Sequence, residues 1–182
     1  PQRSVLFLAN TAEETGLLGS QFFAKQPTFE RERLVANINL DMPLLTYDFQ
    51  DVIVFGGSRS TLRDSIEQAA AQMGLAIGED PFPEQGIFTR SDHFRFVEEG
   101  IPSVMLATGM ANGGEAAWAE HFEKHYHRPS DDMDNGLDFD AAAKFAELKT
   151  RITLMVANAE DRPKWRFGDF FGRQFDGPML DE

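Results

Sequence analysis

Short apolar runs, each ended by polar residues or glycine, alternate along the chain with longer stretches of mixed character. The apolar runs occupy residues 4–9, 34–40, 52–55 and 103–107. Runs of this length, bounded by turn signals, are typical of buried strands. We therefore expect four strands, and we expect the run at residues 4–9 to be a central one.

The stretches between these runs show helical spacing of their apolar residues. Such spacing occurs at residues 16–25, 62–73, 92–99 and 139–158. Gly74 ends the second of these segments, and Asp138 can cap the longest. Strands that alternate with helices predict an α/β fold, with a mostly parallel sheet flanked by helices.

The end of the chain differs in character from the rest. In residues 163–182, aromatic side chains alternate with Arg, Asp and Gly, which is too aromatic for a solvated segment and too broken for a long helix. A chain of 182 residues has the size of one domain. We predict a domain at residues 1–162 and a segment at residues 163–182, named the tail below, that packs on this domain or on a neighbouring chain.

Charge and composition exclude several classes of protein. The chain has 17 Lys and Arg against 30 Asp and Glu, a net charge of −13, and such a charge repels phosphate backbones. Nucleic acid is therefore not an expected partner. The chain has no cysteine, which excludes disulfides, thiolate metal sites and a cysteine nucleophile. No apolar stretch approaches the ~20 residues that a membrane span needs.

Three carboxylates follow predicted strands at the ends where α/β proteins bind ligands. Glu13 and Glu14 come after the first apolar run, and Asp41 comes directly after the second. In open α/β sheets the ligand crevice lies beyond the carboxyl ends of the strands. Adjacent residues of an extended chain point to opposite sides, so one glutamate can bind a metal ion while the other faces a water molecule. A pair of glutamates after a strand is also typical of a solvated loop.

Three of the four histidines are clustered at His121, His125 and His127. The i, i+4 pair His121 and His125 resembles a helical zinc site, but the sequence HFEKH fits neither HExxH nor HxxEH. His127 precedes a proline and an acidic turn, where Asp131 or Asp132 could accept a hydrogen bond from it. It is a candidate site residue, with a surface histidine as the alternative.

The tripeptide Ser91, Asp92, His93 has the residue types of a nucleophilic triad. Consecutive side chains point in divergent directions, so these three cannot form a triad among themselves. We interpret Ser91 or Asp92 as a helix N-cap, and His93 as a structural hydrogen-bonding residue near the site.

Four motifs, in order, resemble those of one enzyme family. They are TAEETGLLGS (residues 11–20), NLDM (39–42), RSDHFRFVEEGIPS (90–103) and HYHRPSDDMD (125–134). The set is similar to that of the zinc aminopeptidases of the M28 family. The resemblance implies the zinc-exopeptidase fold, which is phosphorylase/hydrolase-like, and a site that holds two zinc ions.

The resemblance also implies a role for each candidate residue. Glu13 resembles the general base, Glu14 a ligand of one zinc ion, Asp41 a ligand of the other, and His127 the ligand that shares a zinc ion with Glu14. The implied function is removal of N-terminal residues from peptides by a zinc-activated water molecule. Peptides are then the expected substrates.

Two departures from the family pattern change the expectation for this chain. The family takes one histidine ligand and an aspartate that bridges both metals from a segment before the two glutamates, and this chain begins only a few residues before Glu13. We therefore expect the carboxyl-terminal part of a peptidase domain, without its N-terminal strands, that holds zinc weakly or not at all and is inactive alone. An uncovered sheet edge and the Phe-rich tail would favour self-association. Phe88 stands where some members have a tyrosine that supports the oxyanion.

Two other functions fit the same motifs. A glutaminyl-cyclase-like acyltransferase shares the zinc-binding scaffold but uses one metal ion, and the GLLGS sequence after the glutamates is more similar to the peptidases. A non-catalytic interaction domain on the same fold is the other alternative, which the joint presence of all four site residues disfavours for the whole protein. Members of the family are often exported, so we expect a periplasmic or secreted protein.

Overall fold

The computed structural model describes residues 1–182. Its α-helices are α1 (Leu18–Lys25), α2 (Leu62–Gln72), α3 (His93–Val97), α4 (Gly114–Lys124), α5 (Phe139–Asn158) and α6 (Phe170–Gln174). Its strands are β1 (Asn37–Leu40), β2 (Asp51–Phe55), β3 (Ala76–Gly78) and β4 (Ser103–Thr108). Short 3-10 segments occur at Arg31–Arg33, Gly57–Arg59, Pro83–Gln85 and Ile87–Thr89. None of the helices is long and apolar enough to cross a membrane.

The strands form one mixed sheet in the order β1-β4-β2-β3. β1 pairs with β4 and β2 pairs with β3 in parallel, whereas β2 and β4 are antiparallel. All residues of the central strand β4 are buried, as expected for its continuous apolar sequence. The sheet is therefore mostly parallel and flanked by helices, which confirms the predicted α/β fold class.

The larger part of the core lies between the sheet and the helices α2 and α5. Asp138 caps α5, as the sequence predicts, because its carboxylate accepts hydrogen bonds from the backbone N–H groups of Asp140 and Ala141. The apolar stripe of α5, which includes Phe145 and Leu148, is buried in this core. The cap fixes where the helix begins, and the continuous apolar stripe gives it one face to bury along its whole length.

Alternate residues of β4 serve two separate apolar clusters. Val104 and Leu106 join the core under α2 and α5, whereas Met105 and Ala107 join a smaller cluster that includes Trp118 of α4. This division follows from the alternation of side chains across a strand. Helix α4 is not predicted from the sequence pattern, and it supplies the indole that covers this second face.

The predicted strand at residues 4–9 is absent. These residues lie outside the sheet and are exposed, with Phe7 93% exposed. A strand forms only where a neighbour pairs with its backbone groups, and no strand pairs with this segment. The chain start is instead attached to the end of α5 through Arg3, whose backbone N–H donates to the carbonyl of Ala157 (2.9 Å) and whose guanidinium donates to that of Val156 (3.0 Å). The prediction of a central strand here is wrong.

The other predicted strands and helices are present, with shorter bounds at several ends. β3 and α6 are present although the sequence pattern does not predict them. β3 has only three residues and ends at Gly78, so no period is visible in it.

The tail lies against the rest of the chain. Trp165 has no exposed surface, and its indole N–H donates to the carbonyl of Gly100 (2.8 Å). Asp169 caps α6 by accepting hydrogen bonds from the backbone N–H groups of Phe171 and Gly172. The tail is therefore part of the folded unit.

Candidate active site

Glu13 and Glu14 lie in a tight turn that leads into α1. The backbone N–H groups of Gly16 and Leu17 donate to the carbonyl of Glu13 at 3.0 and 2.9 Å. The preceding residue, Ala12, has a left-handed φ of 58°, a conformation that costs about 1 kcal/mol or more for a residue with a Cβ atom. This strained turn, rather than the end of a strand, directs the two carboxylates.

Gly19 explains part of the motif around these glutamates. A Cβ atom on Gly19 would lie 2.5 Å from the carbonyl oxygen of Thr11, which is closer than such atoms approach. The backbone N–H of Gly19 donates to the same oxygen at 3.0 Å. The close approach of α1 to the segment before the glutamates therefore requires glycine at this position.

Asp41 follows β1, and a chain of hydrogen bonds orients its carboxylate. The hydroxyl of Ser91 donates to Asp41, and the side-chain amide of Asn39 donates to the Ser91 oxygen at 2.9 Å. Met42, the next residue, has a left-handed φ of 42°, so the chain turns sharply directly after Asp41. Ser91 thus connects the third motif of the sequence to the second.

The predicted N-cap position is confirmed at Asp92, but its side chain does not cap the helix. Asp92 occupies the N-cap position of α3 without making a capping hydrogen bond, and it accepts one from the Asn10 amide at 3.2 Å instead. His93 is fully buried, and neither of its ring nitrogens has a hydrogen-bond partner. Burial lowers the pKa of His93 to about 4. His93 is therefore a neutral core residue, not the predicted hydrogen-bonding one.

A lysine that the sequence pattern does not single out also supports β1. The ammonium group of Lys149, on α5, donates to the backbone carbonyl of Asn39. Burial lowers the pKa of Lys149 to about 7. In the sequence this lysine resembles any polar residue of an amphipathic helix, so only the fold reveals its position.

His127 meets Glu14 across the site. Its Nε2 atom lies 2.7 Å from Oε1 of Glu14, and the two side chains are 53% and 71% exposed. His127 has a left-handed φ of 58°, and its ring stacks on Tyr126 with the ring centroids 3.8 Å apart. No hydrogen bond joins His127 to Asp131 or Asp132, which the sequence predicts as its acceptors, because Glu14 takes that place.

Glu13 lies where several charges act on it. Burial raises the pKa of Glu13 above its ordinary value, and the negative charges of neighbouring carboxylates raise it further. In order of effect, these neighbours are Asp41, Glu14 and Asp92, while His127 opposes the rise. The other three candidate residues thus lie close enough to Glu13 to act on its pKa.

The side chains match zinc in kind. Zinc sites in proteins use histidine nitrogen and carboxylate oxygen, and His127 and Glu14 place one of each in contact. No group of three or more histidine, aspartate or glutamate side chains has the geometry to hold a metal ion. Catalytic zinc usually takes three protein ligands and a water molecule, so the chain supplies the right types of ligand but an incomplete set.

A pocket with an almost wholly apolar lining, which the sequence does not predict, begins at the residue after Asp41. Its lining comes from β2, β4, α4 and the segment before α3. The lining residues are Met42, Ile53, Phe55, Pro81, Phe82, Ile87, Met105, Ala107, Met110, Trp118 and Phe122. This pocket, named the apolar pocket below, could hold an apolar side chain of a ligand that binds at Asp41.

Comparison with known proteins identifies the family. The model of peptidase family M28 matches residues 1–153. The chain belongs to peptidase family M28. The match includes all four candidate residues and ends before the tail.

Relatives of this M28 chain include aminopeptidases of a fungus and of a bacterium. The chain is 31% identical over 151 residues to "probable leucine aminopeptidase 2" of Aspergillus oryzae. This alignment covers 74% of the chain and 30% of that protein. It is 27% identical over 166 residues to aminopeptidase YwaD of Bacillus subtilis. This alignment covers 89% of the chain and 34% of that protein. The M28 chain spans about one third of the length of these relatives.

Solved structures show the same fold. The M28 chain matches BSAP, a zinc aminopeptidase from Bacillus subtilis, with a TM-score of 0.58 and 25% identity over 80% of the chain and 34% of that structure. It also matches the aminopeptidase from Aneurinibacillus sp. strain AM-1, with a TM-score of 0.57 and 23% identity over 79% of the chain and 31% of that structure. These matches confirm the predicted fold and the resemblance on which it was based.

Proposed function

We propose that the protein is a zinc-dependent aminopeptidase, which hydrolyses the bond after the N-terminal residue of a peptide. The observation that carries the proposal is the contact of Glu14 with His127 at 2.7 Å beside Glu13, in a chain of a peptidase family. The similarity to two named aminopeptidases supports the same function.

Glu13 is the residue to which we assign proton transfer. Its raised pKa moves it toward the range in which a carboxyl group can both accept and return a proton near neutral pH. In the proposed reaction, Glu13 accepts a proton from the attacking water and returns it to the leaving amine. General acid–base catalysis of this kind contributes about 10²- to 10⁴-fold to the rate.

Three residues would hold the metal. In this proposal Glu14 and His127 bind one zinc ion, and Asp41 binds a second. When bound, zinc polarises the scissile carbonyl and lowers the pKa of a water molecule. Ser91 holds the Asp41 carboxylate in place, and the left-handed backbone of His127 directs its imidazole at Glu14.

The apolar pocket supports a choice of substrate. It begins at Met42, directly after the proposed ligand Asp41, and 10 of its 11 lining residues are hydrophobic. A peptide with its scissile bond at the metal site would place the N-terminal side chain in or near this pocket. The carboxylates around Glu13 would attract the positively charged terminal amine. Peptides that begin with a large apolar residue are therefore the proposed substrates.

The isolated chain is proposed to bind zinc weakly and to be inactive. Glu14 and His127 give two ligands to one ion and Asp41 gives one to the other, fewer than catalytic zinc usually has. The chain also exposes apolar residues, among them Leu6 (53% exposed), Phe7 (93%) and, in the edge strand β1, Leu40 (62%). Exposed apolar surface next to an unpaired strand edge favours self-association.

Turnover of the zinc-loaded full-length protein tests the proposed function. We expect cleavage of a leucyl peptide by the wild type, and a loss near the upper end of about 10²- to 10⁴-fold in Glu13→Gln, because the amide keeps the shape but cannot accept the proton. Zinc content should stay nearly the same. Glu123→Gln is the matched control, since Glu123 is an exposed carboxylate on α4.

The same assay separates the alternatives when a peptide that begins with glutamine is included. Cyclisation of that peptide without cleavage of the leucyl peptide would assign an acyltransferase. Normal turnover in Glu13→Gln would assign the base elsewhere, and absence of turnover on both peptides would favour an interaction domain.

A further inference from the structure

The tail makes a second set of contacts beyond those of Trp165. The first residues of the tail lie beside the 3-10 segment Gly57–Arg59, where the backbone N–H of Arg166 donates to the carbonyl of Arg59 at 2.8 Å. The backbone N–H of Thr61 donates to the carbonyl of Lys164, also at 2.8 Å. The backbone around Arg59 is therefore tied to the tail on both sides.

The side chain of Arg59 contacts two aromatic rings from distant parts of the chain. Its guanidinium carbon is 5.1 Å from the ring centroid of Phe88 and 4.7 Å from that of Phe171 in α6. The two rings also contact each other, with centroids 5.4 Å apart. Asp169 accepts a hydrogen bond from the same guanidinium at 3.1 Å, and its side chain is only 8% exposed. Two cation–π contacts and an ion pair together fix this arginine.

Phe88 connects this cluster to the apolar pocket. It is the middle residue of the 3-10 segment Ile87–Thr89, and Ile87 lines the pocket. On its other side the Phe88 ring lies so close to Gly56 that a Cβ atom there would overlap it. The segment that forms one wall of the pocket is therefore held between the end of β2 and the tail.

We propose that the tail positions the Ile87–Thr89 wall of the apolar pocket, through the contacts that Phe171 and Arg59 make with Phe88. Phe171 and Asp169 are positioning residues that act through Phe88. Without them the wall moves away from the pocket, and an apolar side chain bound there loses contacts. The consequence for substrate choice rests on the proposed aminopeptidase function, whereas the mechanical link between tail and wall does not.

Two measurements on the full-length protein test this inference. Amide hydrogen exchange reports on the wall, because the N–H groups of Thr89 and Arg90 are protected only by the local bonds to Gly86 and Ile87. The ratio of kcat/KM for leucyl and alanyl anilides reports on the pocket. In Phe171→Leu we expect faster exchange at both amides and a leucyl-to-alanyl ratio lower by about tenfold, the smaller end of what extra hydrocarbon is worth in an apolar pocket.

Matched variants separate positioning from general destabilisation. Phe170→Leu is the control, because Phe170 precedes Phe171 in the same helix but is 62% exposed. Asp169→Asn is the second test variant: asparagine keeps the size and the capping of α6 but removes the charge that Arg59 contacts. In the same exchange experiment, unchanged protection of the Thr61 N–H, which donates to the carbonyl of Lys164 in the tail, shows that the tail is still docked.

The outcomes are distinct. Faster exchange together with a lower ratio in Phe171→Leu and Asp169→Asn, with neither change in Phe170→Leu, supports the inference. The inference is overturned if the two test variants exchange at the same rate as Phe170→Leu. It is also overturned if they exchange faster but keep the wild-type leucyl-to-alanyl ratio of kcat/KM. If the wild type cleaves neither anilide, the aminopeptidase proposal fails, and exchange alone then decides whether the tail holds the wall.

Discussion

The carboxylate of Glu14 and the imidazole of His127 meet at 2.7 Å, although one precedes the first helix and the other follows the fourth. Both side chains are more than half exposed. An exposed pair of this kind adds little to the stability of a fold. His127 has a left-handed φ, and backbone strain of this kind collects at functional sites, which supports the proposal that the pair binds a metal ion.

Substitution of His127 tests this interpretation. In the full-length protein, His127→Ala should lower zinc affinity and turnover by more than the about 10- to 100-fold that is typical for loss of an outer-shell partner, because the proposal makes His127 a direct ligand. Zinc content by atomic absorption and turnover of a leucyl peptide measure the effect. His125→Ala is the control, since its ring bonds Ser130 and not Glu14. Equal losses in both variants would contradict the assignment.

Ser91 should matter for the metal although it is not a proposed ligand. Ser91→Ala removes the hydroxyl that donates to Asp41, so the carboxylate is free to rotate. Zinc affinity should fall by about 10- to 100-fold, as for other outer-shell partners, with little change in thermal stability. Competition with a zinc chelator measures the affinity. Ser58→Ala, at an exposed serine, should leave it unchanged, and no difference between the two variants would remove Ser91 from the site.

Gly19→Ala should disturb the site from outside it. The new Cβ atom would overlap the carbonyl of Thr11, so either α1 or the turn with Glu13 and Glu14 must move. We expect a loss of about 1 to 3 kcal/mol in the free energy of unfolding, the usual cost of overpacking, together with reduced turnover. Urea denaturation checks the first effect. Leu18→Ala, which truncates a half-exposed side chain one residue earlier, should be much milder, and a Gly19→Ala protein with wild-type stability would show that the close approach is absent.

His93 makes the stability of the fold depend on pH. Its pKa is about 4 in the folded chain, against an ordinary value of 6.5. Between these values the unfolded chain binds a proton that the folded chain excludes. The contribution of neutral His93 to the free energy of unfolding is therefore complete above pH 6.5. It is lost as the pH falls toward 4, by about 3 kcal/mol in total.

Urea unfolding at pH 7 and pH 4.5, in the wild type and in His93→Phe, isolates this contribution. Phenylalanine keeps an aromatic ring beside Phe88, whose ring centroid lies 5.3 Å from that of His93. The wild type should lose about 2 to 3 kcal/mol more than the variant between the two pH values. Equal losses would mean that His93 is not kept neutral in the folded chain.

Elements with a strong local signal were predictable from the sequence. The apolar stripe of α5 and its cap at Asp138 predict the same helix, and that helix is present. The candidate residues Glu13, Glu14, Asp41 and His127 were also identifiable, because four motifs in order are specific in combination. Residues 4–9 show the limit of such patterns: an apolar run becomes a strand only when another strand pairs with it.

The geometry of the site was not predictable. Ala12, Met42 and His127 all adopt positive φ, and no local rule assigns this conformation to alanine, methionine or histidine. The contacts of Ser91 with Asp41 and of Lys149 with Asn39 join residues far apart in the sequence. The tail was recognisable by its aromatic composition, but its link to Phe88 through Arg59 depends on the packing of three separate segments.

The most direct test of the proposed function is the location of zinc in crystals of the full-length protein, by anomalous diffraction at the zinc edge. Our account predicts two peaks. One should be ligated by Glu14 and His127, at about 2.0 to 2.2 Å as in known zinc sites, and the other by Asp41, while Glu13 ligates neither. A zinc ion bound directly by Glu13, or no peak between Glu14 and His127, would contradict the account.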